Sequence, residues 1–402
     1  MIATHSLPAI AGGTPARSTF LVFGQPQIGE DEIAEVVDTL RSGWIGFGPK
    51  SLRLEREFAA YVGAQHSISA SSCTAGLHLA LLAAGIQPGD EVITTPLTFA
   101  ATANVIEHVG ARPVFADVDP LSQNIDPQWI RQAITPRTRA LLPVHMAGRP
   151  CDMGSIQAIA TEHGLSVIED AAHAVEAISN GRKIGAISAF TAFSFYATKN
   201  MTTAEGGMVT TANAAAAERM RVLRLHGISE DAWRRYSAEG FSRYETLEPG
   251  YKYNLTDLQA SLGLHQLARI DANLAIRERH WRHYDEDLAG LEALEIPAPV
   301  QPADRHARHL YTILLRLDRL EVTRQQFLEA LRAENIGAGV HFTAVHLHAY
   351  YRQKYGYQPG SFPVAEDIGR RTVSLPLSPK LSDDDVDGVI FAIRKLVTHF
   401  GR

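Results

Sequence analysis

The 402-residue sequence predicts an α/β protein: a large domain on a mostly parallel, seven-stranded-type sheet, then a smaller C-terminal α/β domain. Three observations carry this. From His66 to Leu225, short apolar runs rich in β-branched residues alternate with amphipathic stretches of about ten residues. A long helical pattern from Leu255 to Leu288 follows. Beyond Pro297–Pro302 a second, shorter set of strands and helices begins. The chain thus divides into an N-terminal arm (1–25), a large domain (26–280) and a small domain (281–402).

The arm contains Gly and Pro without a period and is expected to lie on the body or on a partner subunit. Glu30 and Asp31 suit a helix N-terminus, and Ile33, Val36, Val37 and Leu40 form its apolar face before Ser42-Gly43 stops it. After the turn-rich Trp44–Pro49, a second helix covers Ser51–Tyr61. Strands are predicted at His66–Ala70, Glu91–Thr95, Pro113–Val118, Ala140–Val144, Leu165–Glu169, Phe190–Tyr196 and Met208–Thr211. Helices are predicted at Thr74–Ala84, Phe99–Val109, Pro127–Ile134, Ser155–His163 and Ala212–Leu225. Gly227–Pro249 is a polar, aromatic loop. The small domain should hold strands at Leu310–Leu317, Val340–Phe342 and Ser374–Leu377. Its helices are expected at Thr323–Glu334, around Ala344–Tyr355 and Val364–Arg371, and from Ser382, which caps the last one, to Leu396.

Composition narrows the function classes. Hydrophobic residues at 45% and charged residues at 20% describe an ordinary globular chain. A net charge of −6 leaves no basic excess for nucleic acid. Two cysteines, Cys73 and Cys151, imply no disulfide framework and point to the reducing cytoplasm. They have no metal-type spacing, so no metal site is expected. No signal peptide and no membrane span are expected.

Four stretches carry chemistry. Ser71-Ser72-Cys73-Thr74-Ala75-Gly76 joins a strand to a helix; its small residues and helix N-terminal amides suit a phosphate, or an ordinary N-cap. Val167–His173 ends a buried strand in Glu169-Asp170, with His173 three residues on. A carboxylate there is suited to hold a pyridine nitrogen protonated, to ligate a metal, or to cap the next helix. Phe193–Asn200 runs from a strand into small and polar residues around Lys199. Partial desolvation of that amine would lower its pKa and prepare it for Schiff-base chemistry. Gly250–Asp257 is an aromatic, polar run suited to ligand or subunit contact, or to capping the long helix.

The order of these stretches resembles the DegT/StrS family of nucleotide-sugar aminotransferases over nearly the whole chain. The most specific matches are Glu169–Ala174, Phe193–Phe195 with Lys199-Asn200, Glu205–Gly207 and Gly250–Asp257. Within the family they are most similar to the branch that makes UDP-4-amino-4-deoxy-L-arabinose and related 4-amino sugars. The resemblance implies a pyridoxal-phosphate-dependent transferase of fold type I, cycling through pyridoxamine phosphate. Lys199 matches the lysine that forms the internal aldimine, Asp170 the pyridinium partner, and His173 the residue beside the ring hydroxyl. Phe99 matches the stacking aromatic, where the arabinose enzyme has Trp. Cys73, where Gly or Ala is usual, Thr74 and Ser194 match the phosphate seat. Asn254 matches a residue that reaches the phosphate of the neighbouring subunit, which implies a homodimer. Trp44, His341 and His346 match substrate positions, although Thr343 stands where the arabinose enzyme has Arg. The implied reaction takes an amino group from L-glutamate, releasing 2-oxoglutarate, to a nucleotide-linked 4-keto sugar. Transfer to a 3-keto sugar or cyclitol, a sugar 3-dehydratase and a non-catalytic regulator remain as alternatives.

Overall fold

The computed structural model describes residues 7–228 and 245–402, so most of the polar loop expected over 227–249 lies outside the described residues. In chain order, helices α1 (Glu30–Ser42) and α2 (Pro49–Val62) precede β1 (His66–Ala70) and α3 (Cys73–Ala83). Then come β2 (Glu91–Thr94), α4 (Ala100–His108), β3 (Arg112–Phe115), α5 (Pro127–Ala133), β4 (Thr138–Leu142), α6 (Met153–His163) and β5 (Ser166–Asp170). A hairpin of β6 (Ile178–Ser179) and β7 (Arg182–Lys183) leads to β8 (Phe190–Ser194), β9 (Gly207–Thr211) and α7 (Ala214–Arg224).

Seven of these strands form one sheet in the order β1-β9-β8-β5-β4-β2-β3. β9 runs antiparallel to both neighbours, and the other pairings are parallel. Successive side chains of a strand point to opposite faces. Ile93, Leu141, Val167, Phe193 and Met208 therefore enter one core, with Leu54 and Phe58 of α2 and Ile156 of α6. Val92, Leu142, Ile168 and Val209 enter the other, with Leu77 of α3, Val105 of α4 and Met220 of α7. Helices cover both faces, as a parallel sheet requires. Its strand ends on one side are left free for a site.

The long helix expected over Leu255–Leu288 is two helices, α8 (Asp257–Ala268) and α9 (Ile270–Leu288). The break falls at Arg269, whose guanidinium reaches back to Glu32 and to the Gln27 carbonyl. No Gly or Pro marks it, so a tertiary tie makes the break. α9 passes from one core to another: Ile270 belongs to the large-domain core, while Trp281, Tyr284 and Leu288 belong to the small-domain core. That second unit pairs β10 (Leu294–Glu295), β11 (Tyr311–Leu315) and β12 (Thr372–Leu375) antiparallel. Helices α10 (Arg324–Ala333), α11 (Ala349–Tyr355), α12 (Pro363–Arg371) and α13 (Asp383–Phe400) complete it.

Other expectations are corrected. Val340–Phe342 is not a strand; only Gly339 bridges to Ser374. The stretch Ala344–Tyr355 is a 3-10 turn, Val345–Leu347, followed by α11. On α1, Ile33, Val37 and Leu40 point outward at 48%, 37% and 55% exposure, while Glu32 and Thr39 are buried. The β6–β7 hairpin was not foreseen, although Asn180-Gly181, both at positive φ, is the turn such a hairpin uses.

The arm lies on the small domain. The buried Glu334 carboxylate accepts from the amides of Ala9 (2.7 Å) and Ala16 (2.6 Å) and pairs with Lys395 (2.9 Å). Replacing one partner of a buried pair strands the other charge. We expect Glu334→Ala to lose about 3–5 kcal/mol in urea denaturation. Hydrogen exchange at Ala9 and Ala16 should rise in the same variant.

Candidate active site

The carboxyl ends of β5 and β8, the N-terminus of α3 and the His341-Phe342 segment of the small domain enclose one cavity of about 380 Å³. Its size and position are those of a small-molecule site in an open α/β sheet.

Asp170 is the last residue of β5 and only 6% exposed. Its carboxylate accepts from Thr102 Oγ1 at 2.8 Å and from the Ala172 amide at 3.1 Å. Burial raises its pKa, and these two donors and the Lys199 charge only partly oppose that. It has no ion-pair partner among the described residues, so it is an acceptor prepared for a cationic group. Thr102 is a site residue that sequence reasoning missed, because a threonine inside a helix pattern gives no signal.

β8 stops at Ser194, not at Tyr196 as expected. The chain then folds back: Phe195 donates to the Gly206 carbonyl, Thr203 donates to the Phe195 carbonyl, and β9 returns beside β8 with Gly207 opposite Ser194. Lys199 sits in this loop, its amide bonded to the Tyr196 carbonyl at 2.9 Å. Its ammonium makes no hydrogen bond or ion pair among the described residues. Burial brings its pKa down to about 8, against the weaker pull of Cys73 and Asp170. A neutral nucleophilic amine is therefore accessible near neutrality.

Ser72 is the N-cap of α3 and accepts from the Ala75 amide at 3.1 Å. The amides of Cys73 and Thr74, at the first two helical positions, have no partner within the helix. Cys73, Thr74 and Ser194 all line the cavity. This is an anion seat made of helix N–H groups and hydroxyls. It depends on Gly207, where an added Cβ would lie 2.6 Å from the Cys73 nitrogen and 2.7 Å from the Ser72 carbonyl oxygen. The Cys73 thiol is held protonated by burial and by Asp170 4.0 Å away.

His173 lines the same cavity with its Nδ1 buried and unpartnered. Burial and then Lys199 push its pKa far down, so the ring is neutral. Phe99 is 64% exposed at the mouth, its ring centroid 6.2 Å from that of Phe342. His341 also lines the cavity; burial and Lys199 lower its pKa to about 4, and Nδ1 bonds Ser374 Oγ at 2.8 Å. Phe342, which lines the cavity, and His309, which lies tilted against His173 behind it, were not foreseen.

Three expected residues are not brought to this cavity. His346 is fully buried among Phe115, Tyr357 and Phe362 and bonds Glu366 at 2.9 Å. It does not line the cavity, where the resemblance had set it against substrate. Trp44 is 40% exposed, in a loop tied to α8 by the bond from the Asp257 amide to the Gly46 carbonyl. Asn254 donates to the Leu255 carbonyl at 3.1 Å and does not line the cavity.

These features fit pyridoxal phosphate: an unpaired buried carboxylate, an unpaired amine, free helix amides and an orphaned His173 nitrogen are the groups its ring, aldehyde, phosphate and hydroxyl require.

The family model described as the DegT/DnrJ/EryC1/StrS aminotransferase family matches residues 26–394. The chain is similar to the spore coat polysaccharide biosynthesis protein SpsC of Bacillus subtilis, 52% identical over 382 residues, which is 95% of this chain and 98% of that one. Among solved structures it is similar to the putative sugar aminotransferase Spr1654 from Streptococcus pneumoniae in its PMP form. The TM-score is 0.88 at 35% identity, covering 94% of this chain and 99% of that one. It is also similar to DesI solved in the presence of its TDP-sugar product, with a TM-score of 0.85 and 31% identity over 96% and 95% of the two chains.

Three outcomes are expected. In the cofactor-free protein, an amine-selective reagent should label Lys199 with a midpoint near pH 8, slow below it where the ammonium dominates and fast above it. Asp170→Asn should move that midpoint down, because the carboxylate favours the ammonium. Gly207→Ala should weaken pyridoxal phosphate binding at least about tenfold by equilibrium dialysis, since its Cβ displaces the helix amides; unchanged binding would contradict the seat.

Proposed function

This chain belongs to the DegT/DnrJ/EryC1/StrS aminotransferase family and is a sugar aminotransferase; on that premise we propose that it moves the amino group of L-glutamate to a UDP- or dTDP-linked 4-keto sugar in two half-reactions. The observation that carries the reading is one cavity holding a buried unpaired carboxylate, a free amine with its pKa near 8, and open helix amides.

Bound pyridoxal phosphate supplies an electron sink for the bonds at the amine-bearing carbon. The chain's own residues do the rest. Asp170, oriented by Thr102 and the Ala172 amide, would balance a protonated ring nitrogen. The Cys73 and Thr74 amides, with the Thr74 and Ser194 hydroxyls, would hold the phosphate. Phe99 and His173 would bound the ring. The Lys199 amine, free of other partners among the described residues, would attach the group and serve as the base that moves a proton at the substrate carbon. His341, neutral at the mouth, offers a ring nitrogen to the sugar.

The residues after Lys199, Asn200 to Gly207, favour carbon 4. A nucleotide-linked sugar, dTDP-linked in particular, is supported by the TDP-sugar product of DesI. SpsC, named for spore coat polysaccharide biosynthesis, supports an amino sugar destined for a polysaccharide. We place the enzyme in the cytoplasm; both cysteines are buried free thiols. It acts as a homodimer in which Asn254 and Trp44 serve the neighbouring subunit. Their absence from their own cavity and the exposed apolar row Ile33, Val37, Leu40, Trp44 and Ile45 support this.

Borohydride treatment of the holoprotein should fix the cofactor to the peptide carrying Lys199, seen by mass spectrometry, and Lys199→Ala should abolish it. With glutamate and candidate keto-sugars, NMR should find the new amine on carbon 4. An amine on carbon 3 would replace the substrate assignment, and a wild-type protein that never retains cofactor would end the reading. Mixing Lys199→Ala with Asn254→Ala subunits should restore about a quarter of wild-type activity, one complete site per hybrid dimer; no recovery would place Asn254 in its own subunit's site.

A further inference from the structure

A buried polar chain lies behind Lys199, outside the cofactor contacts above. Asn200 follows the lysine directly. Its Nδ2 donates to Glu176 Oε2 at 2.8 Å and to the Ala307 carbonyl at 2.8 Å, so both amide hydrogens are committed. Its Oδ1 is then an acceptor only, and it lies 2.9 Å from His309 Nδ1. The proton of a neutral His309 must therefore sit on Nδ1. The amide cannot be reversed, because Glu176 is fully buried, accepts only, and is ion-paired with the equally buried Arg277.

His309 lies against His173, ring centroids 4.5 Å apart and planes 37° apart. Phe342 also lies against His173, ring centroids 6.1 Å apart and planes nearly parallel at 17°. His173 thus contacts two rings while its Nδ1 has no hydrogen-bond partner. Two imidazoles in such contact do not both carry charge. The basic groups that face His309 are the cations Lys199 and Arg277 and the neighbouring imidazoles His341 and His306; those that face His173 are Lys199 and the imidazoles His309 and His341. Glu176 reaches His309 only through Asn200.

We propose that His309 is a further positioning residue: Asn200 holds it as the neutral Nδ1–H tautomer, and it in turn keeps the His173 ring neutral and in one plane at the cavity wall. Its consequence for the bound cofactor rests on the pyridoxal phosphate reading, whereas the tautomer is a property of the protein alone.

The test is therefore made first without cofactor. In the full chain with 15N-labelled imidazoles, two-dimensional NMR should show His309 as neutral Nδ1–H from about pH 5.5 to about pH 8.5. In Asn200→Ala its proton should redistribute to Nε2. In His309→Phe, which keeps a ring against His173 but no nitrogen, the tautomer ratio of His173 should change. The holoprotein's absorbance titration should also move by about one pH unit, a tenfold change in proton affinity. His309→Asn keeps a donor for Asn200 and should restore the network without the second nitrogen, which separates anchoring from contact with His173. If the alanine variant does not fold, the wild-type His309 tautomer and the His309→Phe variant carry the test. A His309 protonated at Nε2, or titrating in the ordinary histidine range, would overturn the proposal. So would a His309→Phe variant with both His173 and the holoprotein titration unchanged. A wild-type protein that shows the expected tautomer yet binds no pyridoxal phosphate would instead defeat the functional reading and leave the positioning pair standing.

Discussion

Asp170 and Lys199 share one cavity and do not form an ion pair, and the rest of the site depends on keeping them apart. An ion pair would satisfy both groups and leave nothing for a ligand. The protein prevents it by holding each from behind. Asp170 ends a strand whose neighbour β4 hands on to Val144, which bridges to it, and Thr102 and the Ala172 amide occupy its oxygens. One residue earlier, Glu169 turns to the opposite face and is taken by His145 at 2.8 Å and Thr191 at 2.9 Å. Lys199 is placed by the turn after β8 and by the side chain of the next residue, Asn200, anchored on Glu176 and Ala307. The cost of the arrangement is visible in opposite pKa movements of the two groups, both caused first by burial. A cofactor bringing a ring cation for one and an aldehyde for the other relieves both.

This division also explains why the site draws on elements from two hydrophobic cores. The sheet supplies the strand ends, but the wall carrying His341 and Phe342 comes from the small domain. Its position is set by α9, which belongs to both cores, and by the Ala307–Leu310 segment, whose carbonyl and amide groups bond Asn200, Gly148 and Ala147 of the large domain. Arg277 on α9, paired with Glu176 just beyond β5, ties that helix to the floor of the site. Domain placement and lysine placement are thus two ends of one buried network.

Much of the site was legible because it is built on local signals. A run of β-branched residues ending in Asp, a strand breaking into small residues around a lysine, and a Ser-rich turn before an apolar helix each announce themselves within a few residues. His309, Thr102 and Phe342 gave no such signal, since nothing within their own segments distinguishes them from packing residues. The errors have the same origin. Helical spacing on α1 correctly announced a helix but not which face is covered; within one chain Glu32 is buried by Arg269 and Gln266, and the apolar row faces out. His346 sits in a polar, aromatic stretch close to the cavity-lining His341-Phe342 segment, and only the tertiary structure places it within an aromatic cluster away from the cavity.

By itself, the sequence determined the order of strands and helices, the parallel character of the sheet and the chemistry at its strand ends, because periodicity and strand-end residues act over a few positions. The tertiary structure decided which groups meet. It broke the long helix at Arg269, turned β9 antiparallel so that Gly207 presses on the amides of α3, and brought His309 from the small-domain side against His173. Each of these depends on contacts between residues far apart in the chain, whose pairing no local pattern encodes.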